Sequence, residues 1–299
     1  MNPEIPAAAI YRAARLLTRL PRPLLRRLAA AIAWLWWTLD RRESRVARRN
    51  LELAYPQMPA PERQALQHAI LRTTAWQAIE TLRFWTTPPQ RNLRHVRETQ
   101  GVELFETAKA AGRPLLIAAP HYGNWELLNQ WLASRGPYAF VYRVPESPIG
   151  DAFLLRARGI ANVTQVRAEG SAVRQLWKAL KAGGTVAILP DQQPKAGDGE
   201  FAPFFGVQAL TMTLLSRLAE RTDATVLVAY CERLGEGPDF ALHFEPAPAA
   251  IASPDHVVAV TALNAAVEAV ARRDPAQYQW TYKRYTLRPS GLGEDNPYR

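Results

Sequence analysis

Residues 114–131 read Pro-Leu-Leu-Ile-Ala-Ala-Pro-His-Tyr-Gly-Asn-Trp-Glu-Leu-Leu-Asn-Gln-Trp. The run 115–119 is apolar and short, as expected for a buried strand, and it stops at Pro120. A turn containing His121 follows, and Asn124 can cap the next helix, whose apolar residues recur at helical spacing. A buried strand, a polar turn and an amphipathic helix in this order indicate an α/β fold.

Two residues of this stretch have the chemistry of a catalytic pair. Glu126 falls in the first turn of the predicted helix, five residues after His121. At this spacing the carboxylate can accept a proton from one ring nitrogen, which leaves the other nitrogen free to act as a base. The alternative is a turn histidine bonded to backbone, with Glu126 complementing the helix dipole. The spacing alone favours this alternative, and the rest of the chain reverses that choice.

Apolar runs alternate with helical patterns after residue 101. This alternation predicts a mostly parallel sheet flanked by helices. The predicted strands are 115–119, 138–142, 185–189 and 225–230, with an added edge strand at 240–244. The predicted helices are 124–134, 148–158, 171–182, 209–221 and 255–273.

The chain divides by composition into two parts. Residues 1–40 are basic and rich in tryptophan, and residues 41–299 are predicted as the α/β domain, with 41–98 largely helical. Residues 1–50 hold eleven arginines and three acidic residues, so this end carries +8 of the net charge of +10. A basic end can bind nucleic acid, an anionic membrane surface or an acidic protein.

The residues between the arginines decide among these partners. Leucines accompany the arginines at helical spacing in residues 12–26, where Pro21 and Pro23 must interrupt the helix, and residues 28–39 are uncharged and contain three tryptophans. This pattern is typical of an interfacial helix on anionic lipid, and not of nucleic-acid binding. Twelve uncharged residues are too few to span a bilayer, which takes about 20. The alternative is a helix buried against the main domain.

Several classes of protein are excluded by what the sequence lacks. Cys231 is the only cysteine, so there is no disulfide framework and no cysteine metal site, which suits a reducing cytosolic compartment. The chain has no G-x-S-x-G elbow, no phosphate-binding P-loop and no dinucleotide fingerprint. The other histidines have no metal-ligand spacing. We therefore expect no metal site, and the simplest hydrolase, nucleotide-binding and dinucleotide-binding functions are excluded.

Polar residues follow three of the predicted strands. His121 follows the first, Arg143 follows the second, and Asp191 and Gln192 follow the third. Ligands bind at the carboxyl edge of an open parallel sheet. We expect His121, Arg143 and Asp191 to converge on one cleft there.

The order and spacing of several short motifs resemble a known family. These motifs are Arg48-Arg49-Asn50-Leu51 followed by Tyr55-Pro56, His121-x4-Glu126, Tyr142-Arg143, Arg156-Ala-Arg158-Gly159, Pro190-Asp191-Gln192, Phe201-Ala-Pro-Phe-Phe-Gly206, and Gln277-Tyr-Gln-Trp280 leading to Lys283-Arg284-Tyr285. Together they make the chain similar to the late (secondary) acyltransferases of lipid A biosynthesis, within the lysophospholipid acyltransferase superfamily. The similarity covers nearly the whole chain. It departs from many relatives in the short apolar run near the N-terminus.

The resemblance implies roles for individual residues. His121 would deprotonate an acceptor hydroxyl while Glu126 orients the ring, and the hydroxyl would attack an acyl thioester directly. Arg143 and Arg158 would hold phosphate or the developing oxyanion. Supporting or substrate-binding roles fall to Asn124, Asp191, Gln192, Phe204, Phe205 and Gly206. The thioester is a co-substrate, so no cofactor is implied.

The expected function is transfer of a fatty acyl chain to a hydroxyl of a lipid A precursor at the cytoplasmic face of the inner membrane. The resemblance implies acyl-acyl carrier protein as the donor, with acyl-coenzyme A as the alternative. Other acceptors in the same chemistry are another glycolipid, a lysophospholipid or an amino-acid lipid. A membrane-binding scaffold without activity is a further alternative, although it would have no chemical need for both His121 and Glu126.

Overall fold

The computed structural model describes residues 2–290 and 295–299. Its strands are β1 Val96–Gln100, β2 Leu115–Ala118, β3 Tyr138–Tyr142, β4 Val163–Arg167, β5 Thr185–Ile188, β6 Gly199–Phe204, β7 Val207–Met212, β8 Thr225–Arg233 and β9 Phe240–Pro246. Its helices are α1 Glu4–Leu17, α2 Arg22–Thr38, α3 Arg42–Ala54, α4 Ala60–Thr86, α5 Pro89–Asn92, α6 Val102–Ala110, α7 Trp125–Ser134, α8 Pro148–Ala157, α9 Ala172–Lys181, α10 Leu214–Thr222 and α11 His256–Arg273, with short 3₁₀ helices at Leu93–His95, Ala249–Ala252 and Pro275–Gln277.

The described residues form a seven-stranded sheet in the order β1-β9-β8-β2-β5-β3-β4, which confirms the predicted fold class. Strands β8, β2, β5, β3 and β4 run parallel, and helices cover the sheet. Strand β2 lies between β5 and β8 and is buried along its whole length. The apolar run 115–119 thus contains a central strand that pairs with a parallel neighbour on each side.

Two predictions about the sheet are corrected by the structure. The strand at 240–244 is β9, which pairs with β8 and with β1, so β1 is the edge strand. The predicted helix 209–221 is wrong over its first turn, because residues 207–212 form β7 of a two-stranded hairpin with β6. Two consecutive residues with positive φ, Phe205 and Gly206, make the tight turn of this hairpin. The polar edge strand β1 has no apolar pattern from which it could be predicted.

The N-terminal helices have one buried and one exposed face. The predicted break falls between α1 and α2, with Pro21 preceding the first residue of α2. Leu25, Ala29 and Ala33 of α2 are buried with Leu71, Ala75 and Ile79 of α4. On the outer face Trp34 is 63% exposed and Leu35 is 44% exposed. The helix therefore combines the two predicted alternatives: it packs on the main body and also presents apolar surface outward.

Further apolar side chains are exposed along α1 and α2 and in the residues directly after each helix. They are Ile5, Ile10, Leu16, Leu20, Leu24, Leu28 and Leu39. Among the described residues no helix is both long enough and apolar enough to cross a membrane.

The turn after β2 depends on Gly123. Its φ is +56°, and an added Cβ would lie 2.0 Å from the carbonyl oxygen of Cys231 in β8. This close approach is needed because the N–H of Asn124 donates to that same carbonyl at 2.7 Å. The N–H of Gly123 also donates to the carbonyl oxygen of Gln277 at 3.1 Å. Only glycine combines this φ with this contact.

We expect Gly123→Ala to lower the free energy of unfolding by about 3 kcal/mol or more, because left-handed backbone costs about 1–2 kcal/mol and the backbone clash adds to it. Gly112→Ala is the matched control, since Gly112 also has positive φ (+66°) but has no atom within 4 Å of an added Cβ. It should cost about 1–2 kcal/mol. Denaturant unfolding of both variants measures the difference. Equal losses would show that the contact with Cys231 is unimportant.

Candidate active site

The ends of neighbouring strands bring the predicted polar residues together. His121 follows β2, Arg143 follows β3, and Asp191 and Gln192 follow β5, which lies between β2 and β3 in the sheet. His121, Arg143 and Gln192 line one cavity, and Asp191 is hydrogen-bonded to His121 behind it. The predicted convergence at the carboxyl edge of the sheet is therefore confirmed for His121 and Arg143, whereas Asp191 does not line the cavity.

Asp191 holds both the ring and the backbone of His121. The ring Nδ1 is 2.8 Å from Oδ1 of Asp191, and the backbone N–H of His121 donates to Oδ2 at 2.9 Å. The Asp191 side chain is only 2% exposed. Burial acts to raise the pKa of Asp191, but the interactions with His121 outweigh it and hold that pKa below its usual value. An ionised carboxylate at Nδ1 selects the tautomer with Nδ1–H, which leaves the lone pair on Nε2.

The predicted contact between Glu126 and the His121 ring is wrong. Glu126 is buried and accepts hydrogen bonds from Arg158, with Nε at 3.0 Å from Oε1 and a second bond from NH2. A guanidinium offers a carboxylate two parallel charge-assisted bonds, whereas an imidazole offers one. Burial acts to raise the pKa of Glu126, but Arg158 outweighs it, so the pKa lies below its usual value. Asp191 takes the position at the ring that was predicted for Glu126.

Arg158 lies at the edge of the cavity with much of its donor capacity used. Its guanidinium carbon lies 5.4 Å from the ring centre of Trp85 and 5.6 Å from that of Phe140. Because Nε and NH2 bind Glu126, the charge of Arg158 is largely neutralised within the protein. Arg158 lines the cavity, as predicted for a substrate-binding residue, but as half of an ion pair.

The cavity that His121 lines has a volume of about 690 Å³, within the range for ligand sites. Cationic side chains line it at Arg143, Lys195 and Arg217, in addition to Arg158, and two carboxylates line it as well. Apolar lining comes from Trp125, Phe140, Leu154, Val173, Leu189 and Leu214. A cavity with apolar walls and cations suits a ligand that joins a hydrocarbon chain to anionic groups.

The side chain of Asn124 stabilises the turn before α7 through hydrogen bonds to other protein groups. Its Oδ1 accepts from the N–H of Leu127 at 3.0 Å, which confirms the predicted helix cap, and its Nδ2 donates to Glu80 at 3.0 Å. Glu80 in turn binds Arg233 through two hydrogen bonds, and both side chains are almost fully buried. The amide of Asn124 is thus committed to protein partners on both sides. The sequence gives no signal for Glu80 and Arg233, which lie 153 positions apart.

Phe204, Phe205 and Gly206 lie away from the cavity. They form the end of β6 and the hairpin turn, where Phe204 and Phe205 are buried. The backbone N–H of Phe205 donates to Glu268 at 2.6 Å. The Phe205 ring packs against Trp280 with ring centres 5.0 Å apart. The structure does not bring these residues to His121.

We expect Arg158→Met to lower the free energy of unfolding at pH 7 by about 3–5 kcal/mol, because it leaves Glu126 buried and unpaired. The ion pair stabilises the wild type at pH values above the usual carboxyl pKa. This stabilisation is lost as pH falls and Glu126 takes up a proton. In the variant, protonation of Glu126 relieves the cost, so the difference between the two proteins should shrink towards pH 5.

Denaturant unfolding at both pH values measures this effect. Arg97→Met is the matched control, since Arg97 is exposed and pairs with Asp239 at 3.1 Å. It should cost less than about 1 kcal/mol at either pH. Equal losses for the two variants would contradict a buried ion pair at Glu126.

Comparison with known proteins now gives the family. Residues 7–286 match the family described as bacterial lipid A biosynthesis acyltransferase. The lipid A biosynthesis lauroyltransferase of Escherichia coli K12 is 27% identical over 278 residues, which are 93% of this chain and 90% of that relative. The palmitoleoyltransferase of the same strain is 27% identical over 277 residues, covering 91% and 88% of the two chains. A lipid A biosynthesis acyltransferase of Haemophilus influenzae is 26% identical over 275 residues, covering 90% and 86%. The resemblance seen in the motifs is thus confirmed over nearly the full chain, and the chain belongs to the bacterial lipid A biosynthesis acyltransferases.

Proposed function

We propose that this protein transfers a fatty acyl chain from an acyl thioester to a hydroxyl of a lipid A precursor. The observation that carries the proposal is the geometry of His121, whose Nδ1 is held by buried Asp191 and whose ring borders a cavity with apolar and cationic walls. The family match and the names of the lauroyl and palmitoleoyl relatives support a fatty acyl group as the group transferred and lipid A biosynthesis as the acceptor class.

In the proposed step His121 acts as the general base. Nε2 takes the proton of the acceptor hydroxyl while the hydroxyl oxygen bonds to the thioester carbon. The carbonyl oxygen becomes an oxyanion, the C–S bond then breaks, and the proton on Nε2 passes to the leaving thiolate. Asp191 stabilises the charged ring in between, as the buried carboxylate does in other histidine-based acyl transfer. The thioester is a co-substrate, and the step calls on no metal or further cofactor.

In the proposed site, the ion pair of Glu126 and Arg158 holds one part of the cavity wall in place. Glu126 acts through Arg158, because both of its oxygens face the guanidinium. Arg143 and the remaining donors of Arg158 are the candidates to hold phosphate groups of the acceptor. Arg143 forms no ion pair within the part of the chain that the structure describes, so its charge is available to a ligand.

We infer that the donor is acyl-acyl carrier protein, a small acidic protein. Helix α9 lies beside the cavity, with Ala172 and Val173 in its lining. Its ten residues include three cations, Arg174, Lys178 and Lys181, and no carboxylate. A basic surface beside the cavity would steer an acidic donor towards it.

We infer that α1 and α2 attach the protein to anionic lipid at the cytoplasmic face of the inner membrane. Their exposed leucines, isoleucines and Trp34 form an apolar surface among arginines. Interfacial helices combine these two properties. The single cysteine, Cys231, is a buried free thiol, which suits a reducing compartment.

We expect His121→Ala to reduce acyl transfer by about 10²–10⁴-fold, because the general base is lost. Mass spectrometry of the lipid product, with a dodecanoyl thioester and a lipid A precursor in mixed micelles, measures the rate. His256→Ala is the control, since His256 lies at the start of α11, away from the cavity. Wild-type turnover by folded His121→Ala protein would end the mechanism.

The same assay tests the donor. The same acyl chain is supplied either on carrier protein or on coenzyme A. We expect kcat/KM to be higher for the carrier-bound chain and to depend more strongly on salt. Equal kcat/KM values and equal salt dependence would contradict the carrier. That result would show that the enzyme does not distinguish the carrier from coenzyme A as the acyl donor.

We expect the double substitution Trp34→Ser and Leu35→Ser to weaken binding to anionic vesicles by about tenfold or more, since each apolar side chain is worth about 1.5–3 kcal/mol when buried in lipid. Flotation with phosphatidylglycerol vesicles measures it. Val257→Ser with Val258→Ser is the matched control, because these residues are 50% and 47% exposed on α11. Equal losses in the two double variants would show that α2 is not the attachment site.

A further inference from the structure

The side-chain amide of Gln192 contacts Nε2 of His121, the ring nitrogen that must accept the proton. Nε2 of Gln192 is 3.2 Å from Nε2 of His121 and 3.2 Å from Oε1 of Gln279. Gln279 also contacts the turn directly, since its backbone N–H donates to the carbonyl oxygen of His121 at 3.0 Å. Gln192 is half-buried and lines the same cavity as His121.

The hydrogen-bond roles follow from the partners at the other ends. Nδ1–H of His121 donates to Asp191, so Nε2 carries a lone pair and accepts from one N–H of Gln192. The second N–H of Gln192 donates to Oε1 of Gln279. A ring protonated at Nε2 would face the amide as a second donor. In this arrangement the contact requires a lone pair on Nε2 of His121.

We propose that Gln192 is a catalytic residue that occupies Nε2 in the free enzyme and binds the oxyanion during transfer. This inference rests on the proposed function and names the group that stabilises its transition state. The acceptor hydroxyl must take the place of the Gln192 amide at Nε2. The hydroxyl that replaces the amide attacks the thioester carbon. The displaced N–H of Gln192 therefore stays next to the thioester carbonyl, within reach of its oxygen.

The step balances with this assignment. The hydroxyl proton moves to Nε2, the new C–O bond forms, and the carbonyl oxygen becomes an oxyanion that accepts the N–H of Gln192. When the C–S bond breaks, the proton on Nε2 goes to the thiolate. The neutral ring then accepts the Gln192 N–H again.

Arg158 is less suited to this task. Its Nε and NH2 donate to Glu126, so two of its donor groups are already engaged within the protein. The Gln192 amide is held by contacts that are individually long, at 3.2 Å, and neutral. Neutral bonds of this kind are weaker than charge-assisted ones and are exchanged at lower cost.

The test replaces Gln192 in the full-length protein and measures the acyl-transfer rate in micelles. Gln192→Met keeps the size of the side chain but removes both N–H donors. We expect kcat to fall by about 10²-fold with little change in KM for the acceptor, as for loss of one oxyanion donor. Gln165→Met is the matched control, because Gln165 is also half-buried and bonds to the carbonyl oxygen of Leu155 at 3.2 Å, away from the cavity. It should keep the wild-type kcat.

Gln192→Glu allows a measurement, the pH profile of kcat/KM, that would not change if Gln192 had only a structural role. A carboxylate beside Nε2 favours the protonated ring, so the acidic limb of the kcat/KM profile should shift to higher pH by about one unit or more. Wild-type turnover is established first, so failure of the proposed function appears as an inactive wild type. With an active wild type, Gln192→Met at wild-type kcat, or Gln192→Glu with an unshifted pH profile, would overturn the role of Gln192 alone.

Discussion

Two hydrogen bonds that His121 donates to Asp191 fix the position of the proposed base. One reaches the backbone N–H and the other the ring, so a single carboxylate sets both the path of the turn and the orientation of the imidazole. The two residues follow neighbouring strands, β2 and β5, whose pairing determines the distance between them. The burial of these strands therefore supports the precision of the site, because a register shift would separate the base from its carboxylate.

Buried charges around the turn occur in pairs. Glu126 binds Arg158, and Glu80 binds Arg233 while also accepting from the helix cap Asn124. Each carboxylate would be costly to bury alone, and each is compensated by a guanidinium with at least two hydrogen bonds. The first turn of α7 is thus held from two sides by buried ion pairs, of which only Arg158 also lines the cavity. This arrangement explains why a short motif depends on residues far away in the chain.

The sequence was sufficient for the fold class and for the edge of the sheet where the site lies, because apolar runs and the polar residues after them follow from burial alone. It was not sufficient for the partner of Glu126. Spacing restricts which residues can meet, but the competition between His121 and Arg158 is decided by tertiary packing. The hairpin at Phe205 and Gly206 was missed for a related reason, since its apolar residues also fit a helix. The contacts of Gln192 and Gln279 join residues 87 positions apart, which no local pattern reports.

Helix α4 contacts both α2 and the turn that contains His121. Ile79 packs in the cluster that buries one face of α2, and the next residue, Glu80, accepts a hydrogen bond from Asn124, which caps α7 after the His121 turn. Adjacent residues of one helix thus contact α2 on one side and the turn of His121 on the other. For a protein resting on a bilayer through α2, this fixes the height of the histidine above the lipid surface. An acceptor hydroxyl would then be selected partly by how far its sugar extends from the headgroup plane, in addition to its fit in the cavity.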